Sequence, residues 1–430
     1  TKNDNFVIYQ NGWEDTINFK VNSVSHPRAQ VTTGTIGGKT NGLTFQTGSE
    51  TRWYQDGTQV SVSGKTYPEA PNVASWDGSM PQVLFGAAVD VVKDRSFAAK
   101  VQAIRVYDRV LTAEELAGNA ALDAQRYPSA AALSDLAQSA WEAVVGNTAD
   151  LGSNTSLAGL QAYAENCMTS EAKASLAVAV ADAGNGAYTF TYGAKNSGET
   201  VAQHTFYVDC EYTLDMSQMD TDAQKVLLND VVQYKGSGSI EVKWNDTAKA
   251  LNYKGTRNGN PVSHLYFPVY SSEDAYVFET ELSFVSGLTD WSTMVFGADR
   301  FVEHLQYAFW GQRKASDNGA EFVRFQDPSK NTNWAVGHQN IPFSKVLETL
   351  GEKWEDTYTQ NGDTYQVSDK LKMKVVVYNG MMYALIDGVQ VLAVGANGLL
   401  ASDLNGVFGF NTAGTSMNIH KLSVLPITEE

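Results

Sequence analysis

The clearest alternation of apolar and polar positions lies at residues 370–395, KLKMKVVVYNGMMYALIDGVQVLAVG. Two turn dipeptides, Asn379-Gly380 and Asp387-Gly388, cut this stretch into three β-branched and aromatic runs. A type I′ turn needs φ > 0 at both central residues, which Asn, Asp and Gly tolerate best, so the spacing predicts three consecutive antiparallel strands. The chain repeats the arrangement. Tyr54-Gln55-Asp56-Gly57-Thr58-Gln59-Val60 echoes Leu385-Ile386-Asp387-Gly388-Val389-Gln390-Val391. A Phe-Gly step follows each, at Phe85-Gly86 and Phe408-Gly409. A closing apolar run comes next, at Ala103-Ile104-Arg105-Val106-Tyr107 and Lys421-Leu422-Ser423-Val424. Two similar β modules are expected.

Between them the period changes. Thr112-Ala113-Glu114-Glu115 is a capping box that should start a helix running to about Arg126. Leu133, Leu136, Ala137, Ala140, Trp141 and Val144 follow helical spacing, and shorter helices are expected at 157–167 and 170–183. Trp141 reads as a docking anchor. From about 186 period-two strands return: 188–192, 204–208, 240–244, 275–284, 294–296 and 305–310. About a dozen strands suit a two-sheet sandwich.

At 430 residues the chain exceeds one domain, and 43% apolar residues suffice for ordinary cores. The net charge of −17 argues against nucleic acid and anionic membranes, because no basic stripe is present to neutralise phosphates. No apolar run is long enough to span a bilayer. With no signal peptide, the sequence reads as mature or trimmed. Two cysteines, Cys167 and Cys210, are too few for a disulfide framework. One bridge and two buried thiols both remain open.

Residues 103–116, AIRVYDRVLTAEEL, resemble the closing strand and helix of bacterial laminin-G-like domains, in the concanavalin A-like lectin/glucanase superfamily. The hairpin at Asp56-Gly57 fits the same pattern. The resemblance spans roughly residues 1–126, yet such a jelly roll usually has more strands before this ending. The first sandwich is therefore reduced, lacks its N-terminal part, or is completed by another chain. From 186 onward the order of strands also resembles a concanavalin A-like jelly roll: YVFETELSF, an aromatic middle, the Asn-Gly and Asp-Gly hairpins, then Gly406-Val407-Phe408-Gly409-Phe410.

Candidate chemistry is sparse. Glucanases on this sandwich resemble one another in an ExDxE or ExDxxE strand; here Glu279-Thr280-Glu281 shares one face but lacks the Asp. No HExxH, GxSxG or P-loop occurs, and the six His are scattered. Asp215, Asp220 and Asp222 form an acidic stretch that could hold calcium. The resemblance implies a structural calcium without naming its ligands.

The strand around 304–313 is more informative. Leu305, Tyr307 and Phe309 fall on one face, and His304, Gln306, Trp310 and Gln312 on the other. A ring face flanked by planar amides is what sugar recognition uses. Arg324 on the next strand and Trp334 in the following loop could join it. Packing of Trp310 beneath a loop is the alternative. In the first module Trp76 could line a loop site, and Trp53 reads as core.

The sequence thus predicts a mainly β protein: two concanavalin A-like jelly-roll sandwiches joined by a short α-helical segment. The expected divisions are a laminin-G-like sandwich at 1–127, a helical linker or small bundle at 128–184, and a second sandwich at 185–430. The expected role is the non-catalytic carbohydrate-binding region of a larger secreted or cell-surface bacterial protein. It would hold a catalytic or adhesive module against glycans, with no nucleic acid, no membrane insertion, and no cofactor beyond structural calcium. The alternatives are a glycoside hydrolase and a structural or protein-binding spacer.

Overall fold

The computed structural model describes residues 6–10, 17–21, 29–31, 39–44, 52–60, 101–256, 263–286, 292–298, 304–309, 320–325, 334–341, 356–360, 363–367, 370–394, 404–412, 414 and 416–428, with backbone alone at 6–31 and 304–367. Residues 1–132 form one compact unit and 133–430 another.

In the first unit, β1 (Phe6–Gln10), β2 (Ile17–Val21) and β3 (Ala29–Val31) form one antiparallel sheet. β4 (Asn41–Thr44), β5 (Arg52–Gln55) and β6 (Thr58–Gln59) form another. The β5–β6 turn has Asp56 at φ 46° and Gly57 at φ 79°, as a primed turn requires. Gly57 is also needed for packing, since a Cβ there would fall 2.4 Å from Ala117 Cα. Trp53 is core, at 2% exposure. Helix α1 (Ala113–Arg126) starts at the expected capping box, in which Thr112 and Glu115 bond reciprocally. Arg109 and the Thr112 amide hold the Glu115 carboxyl down to about 2.

The expected closing strand at 103–107 does not form; residues 101–107 have no strand partner among the described residues. They lie along α1 instead. Arg105 makes a bidentate pair with Asp123 at 2.7 and 2.5 Å. Asn119 Nδ2 donates to Tyr107 Oη at 3.1 Å, and Arg109 pairs with Glu115 at 2.8 and 2.7 Å. Positions 105, 107 and 109 therefore meet 123, 119 and 115. Two extended residues advance about 6.8 Å and four helical residues about 6 Å, so the spacings match. The other parity faces out, with Ile104 at 55% and Val106 at 83% exposure. Alternation alone does not make a strand; a paired backbone does.

The second unit opens with α2 (Ala130–Gly146), α3 (Leu157–Cys167) and the short α4 (Ser170–Ser175). Strands β7 (Leu176–Gly184), β8 (Ala187–Ala194), β9 (Thr200–Val208) and β10 (Tyr212–Asp215) follow, then α5 (Thr221–Asp230). Next come β11 (Val232–Tyr234), β12 (Ile240–Asn245), β13 (Ala250–Gly255), β14 (Ser263–Ser271), β15 (Tyr276–Ser286) and β16 (Ser292–Ala298). β17 (His304–Phe309), β18 (Ala320–Phe325), β19 (Trp334–Ile341), β20 (Asp356–Gln360) and β21 (Asp363–Val367) precede the hairpin region. The last strands are β22 (Leu371–Tyr378), β23 (Met381–Ile386), β24 (Val389–Val394), β25 (Gly406–Thr412) and β26 (Ser416–Pro426). The three expected strands at 370–395 are β22–β24, with positive φ at Asn379, Gly380, Asp387 and Gly388.

Two large sheets result. One has ten strands, β19-β18-β17-β16-β25-β14-β9-β8-β7 with β11 beside β14. The other has eight, β12-β13-β26-β15-β22-β23-β24 with β10 beside β26. Between them lies a core of Leu265, Phe267, Met294, Phe296, Phe408 and Phe410 against Phe278, Val375, Ala384 and Ile419. The protein is mainly β, and this unit is a β-sandwich.

The ten-stranded sheet has a second core on its outer face, where Trp141, Val144 and Leu160 pack on Phe190, Phe206, Tyr266 and Val295. The helices expected as a linker or bundle over 128–184 are thus a layer of the second unit from Leu133 on. The helix expected to reach 183 stops at Ser175. Leu176, Val178 and Val180 alternate, and they pair with Ala194, Tyr192 and Phe190 of β8. Pairing and burial outweigh the helix propensity of the alanines. The free edge of β7 is capped by α3: Gln161 Nε2 donates to Val178 O at 3.1 Å, and Gln161 Oε1 accepts from Val180 N at 2.9 Å. A side-chain amide stands there in place of a further strand.

Trp141 anchors the helical layer. It is 0% exposed, donates to Asp230 O at 3.0 Å, and stacks on His204 at 4.5 Å and 6°. Trp141→Ala should cost about 3–5 kcal/mol. Urea unfolding should show the loss as a lower midpoint.

Candidate functional site

Register places the candidate residues on the sandwich. Leu305 stands opposite Phe296 and Tyr307 opposite Met294, both in the core between the sheets. Gln306 stands opposite Val295, which belongs to the outer core. Directly opposed residues of an antiparallel pair share a face, so Gln306 and, two residues away, His304 take the outer face of the ten-stranded sheet. The row through Gln306 continues to Val323 and His338. The row through His304 continues to Phe325 and Trp334. Trp334 thus begins β19 rather than lying in a loop. Arg324 stands opposite Leu305, in the row of opposite parity, so register separates it from Gln306. Trp310, Gln312 and Trp76 lie outside the described residues.

A polar row on the same outer face escaped sequence reasoning. Tyr234, His264, Asn411 and Thr293 are opposed in turn across β11, β14, β25 and β16. Thr293 Oγ1 bonds Asn411 Oδ1, and Asn411 Nδ2 lies 3.4 Å from His264 Nε2. Tyr266 stacks on His264 at 5.5 Å and 11°. His264, Asn411 and Thr293 are buried. Register extends the row through Ala308 to Glu321 and Asn340. Asn411 and His264 are 147 residues apart in sequence. The one local signal was a polar residue at an alternating position in otherwise apolar runs. Together the rows set rings, amides, imidazoles and one carboxylate position on a single sheet face.

Glu279 and Glu281 lie on the outer face of the other sheet. Thr280 between them points inward and bonds Lys421 O at 2.8 Å. Lys374 Nζ is 2.6 Å from Glu279 Oε2, and Lys370 Nζ is 3.4 Å from Glu281 Oε1. A substrate oxygen would have to displace an ammonium from either carboxylate.

Each member of the acidic stretch has local contacts. Asp215 accepts from Ser217 and pairs with Lys421 at 3.0 Å, and these contacts hold its carboxyl below the usual range. Asp220 caps α5, and Asp222 pairs with Lys225. Among the described residues no three His, Cys, Asp or Glu side chains converge as a metal cluster. No helix among them is long and apolar enough to cross a membrane.

No protein-family model and no curated protein sequence matches the chain. Solved structures share local likeness. A protein of unknown function with a galectin-like fold from Bacillus subtilis is 11% identical, with TM-score 0.34, over 51% of this chain and 96% of that one. A carbohydrate-binding module (CBM66) from Bacillus subtilis is 11% identical, with TM-score 0.29, over 45% and 96%. A prokaryotic β-1,3-1,4-glucanase (lichenase) derived from a mouse hindgut metagenome is 9% identical, with TM-score 0.32, over 50% and 99%. Likeness at this level assigns neither family nor function; the sandwich stands on its own sheets and core.

Both cysteines are free thiols, and burial is the main force that pushes each up to about 11. At pH 8 each should react with iodoacetamide about 100-fold more slowly than an exposed thiol, because the thiolate is the nucleophile. Timed alkylation read by intact mass would check this.

Proposed function

We propose that the second unit is a non-catalytic glycan-binding module, with its site on the outer face of the ten-stranded sheet near β16–β19. The observation that carries the reading is the register of Gln306. It faces the outer row, alongside Thr293, Asn411 and His264, rather than the core between the sheets. Thr293, Asn411 and His264 are buried and bond one another, so they would brace the site rather than touch sugar. The planar amide at position 306 and the imidazoles at 304 and 338 would suit paired hydroxyls, and Trp310 would add a ring face for C–H stacking. In this reading the chain is part of a secreted or cell-surface bacterial protein. It holds a partner module near its substrate, so that linkage raises weak individual affinities. Calcium would be structural.

A hydrolase is the second reading. The observation favouring it is the register position of Glu321 in the polar row; Glu279 and Glu281 are occupied by lysines on the other sheet.

A glycan array with the intact chain and calcium tests both. Binding to one glycan class should fall about tenfold for Gln306→Ala and for Trp310→Ala, the scale of a lost stacking or hydroxyl contact. Trp76→Ala should leave it unchanged. Silence from folded protein would favour the spacer reading. Oligosaccharide turnover that is lost in Glu321→Gln would replace binding with hydrolysis.

A further inference from the structure

The outer face of the eight-stranded sheet, which also carries Glu279 and Glu281, holds a second polar cluster away from the face proposed for glycans. Its centre is a β-bulge. Glu281 of β15 pairs with Lys421, but the next residue, Leu282, pairs with Ile419, so His420 is the extra residue. On the other side of β26, pairing with β13 ends at Ile419 and pairing with β10 begins at Lys421. Bulges re-aim side chains and are common beside functional sites. Here the bulge leaves both His420 and Lys421 outside the core that takes Ile419 and Leu422.

The re-aimed ring meets a serine. His420 Nε2 lies 2.9 Å from Ser283 Oγ. His420 is only 4% exposed, and its Nδ1 is buried, with the Ala248 backbone beside the ring. Ser283 is half-buried. Beside them, Asn252 Nδ2 donates to Asn418 Oδ1 at 2.9 Å, and Asn245 reaches the same oxygen at 3.3 Å. The charged groups acting on the ring are Lys370 and Glu281, themselves paired at 3.4 Å. Burial, then Lys370, lowers the imidazole pKa, while Glu281 and the Ala248 backbone oppose that. A ring kept neutral with its Nε2 on a hydroxyl is a base in contact with a nucleophile.

We propose that Ser283 is a nucleophile and His420 its general base, in a site that takes acyl groups from small polar esters. With the proton of the neutral ring on Nδ1, Nε2 accepts the Ser283 proton as Oγ bonds the ester carbonyl carbon. The Nε2 proton then passes to the departing alkoxide as the ester C–O bond breaks, leaving an acyl-serine and an alcohol. Water, deprotonated by Nε2, attacks the acyl carbon. The C–Oγ bond breaks, Oγ regains the proton, and the carboxylic acid leaves.

The test uses a fluorophosphonate probe on the intact chain, followed by intact mass and peptide mapping. One adduct on Ser283 is expected. It should be absent in Ser283→Ala and form at least tenfold more slowly in His420→Gln. In the unaltered protein, labelling should persist through the range where an ordinary imidazole protonates and slow only at lower pH, because burial and Lys370 lower the His420 pKa and the ring stops accepting a proton once it is charged. The pH profile needs no variant, so it stands even if His420→Gln misfolds. No adduct on Ser283 in folded protein, or labelling independent of both pH and His420, would overturn the assignment.

Discussion

The second unit depends on burying both faces of one sheet. Strand β14 is buried at all nine positions, from Ser263 to Ser271. Leu265 and Phe267 face the other sheet, while Tyr266 and Tyr270 face the helices. An antiparallel sheet can leave one face in water, but this sequence does not allow it across β14 and its neighbours. The helical layer is the consequence. It has to bury Phe190, Phe206 and Val295, and it does so through Trp141, Val144, Leu160 and Tyr163.

Polar groups within that outer core are held by specific partners. Trp141 bonds a carbonyl of α5, and Tyr163 Oη donates to Val144 O at 2.5 Å. Two residues along the strands from Tyr266 of β14 and Val295 of β16, the apolar outer face gives way to His264, Asn411 and Thr293, which bond one another. The face therefore changes character along the strands: apolar where helices lie on it, and polar in the cross-strand row that leads through Ala308 to Glu321 and Asn340. That change makes the β16–β19 margin the better binding candidate. The eight-stranded sheet is different again. Its outer face is a charge ladder, Glu279 with Lys374, Glu281 with Lys370, and Asp215 with Lys421, a pattern that suits solvent.

Much of this was legible where the determinant is local. Asn-Gly and Asp-Gly fix primed turns through backbone φ alone, so the hairpins at 56, 379 and 387 could be read directly. The capping box at Thr112 is equally local, because both of its bonds lie within four residues. The period of Leu133, Ala137, Ala140, Trp141 and Val144 gave both the helix and its buried face. The alternation in 304–309 gave which residues share a side.

What the sequence could not give was set by partners distant along the chain. Residues 103–107 have strand composition, yet Arg105 and Tyr107 are committed to α1 and no strand among the described residues takes their backbone. Residues 176–184 look helical by composition and become a strand because β8 is there to pair with. The polar row joins residues from four strands, so no window of sequence contains it. Glu279 and Glu281 sit two apart like a catalytic pair, and only the register with β22 brings lysines to them. The sequence by itself determined turns, caps and the faces of each element. Tertiary pairing decided which segments became strands and which polar side chains meet, because a strand and a site both need groups that only the folded chain brings together.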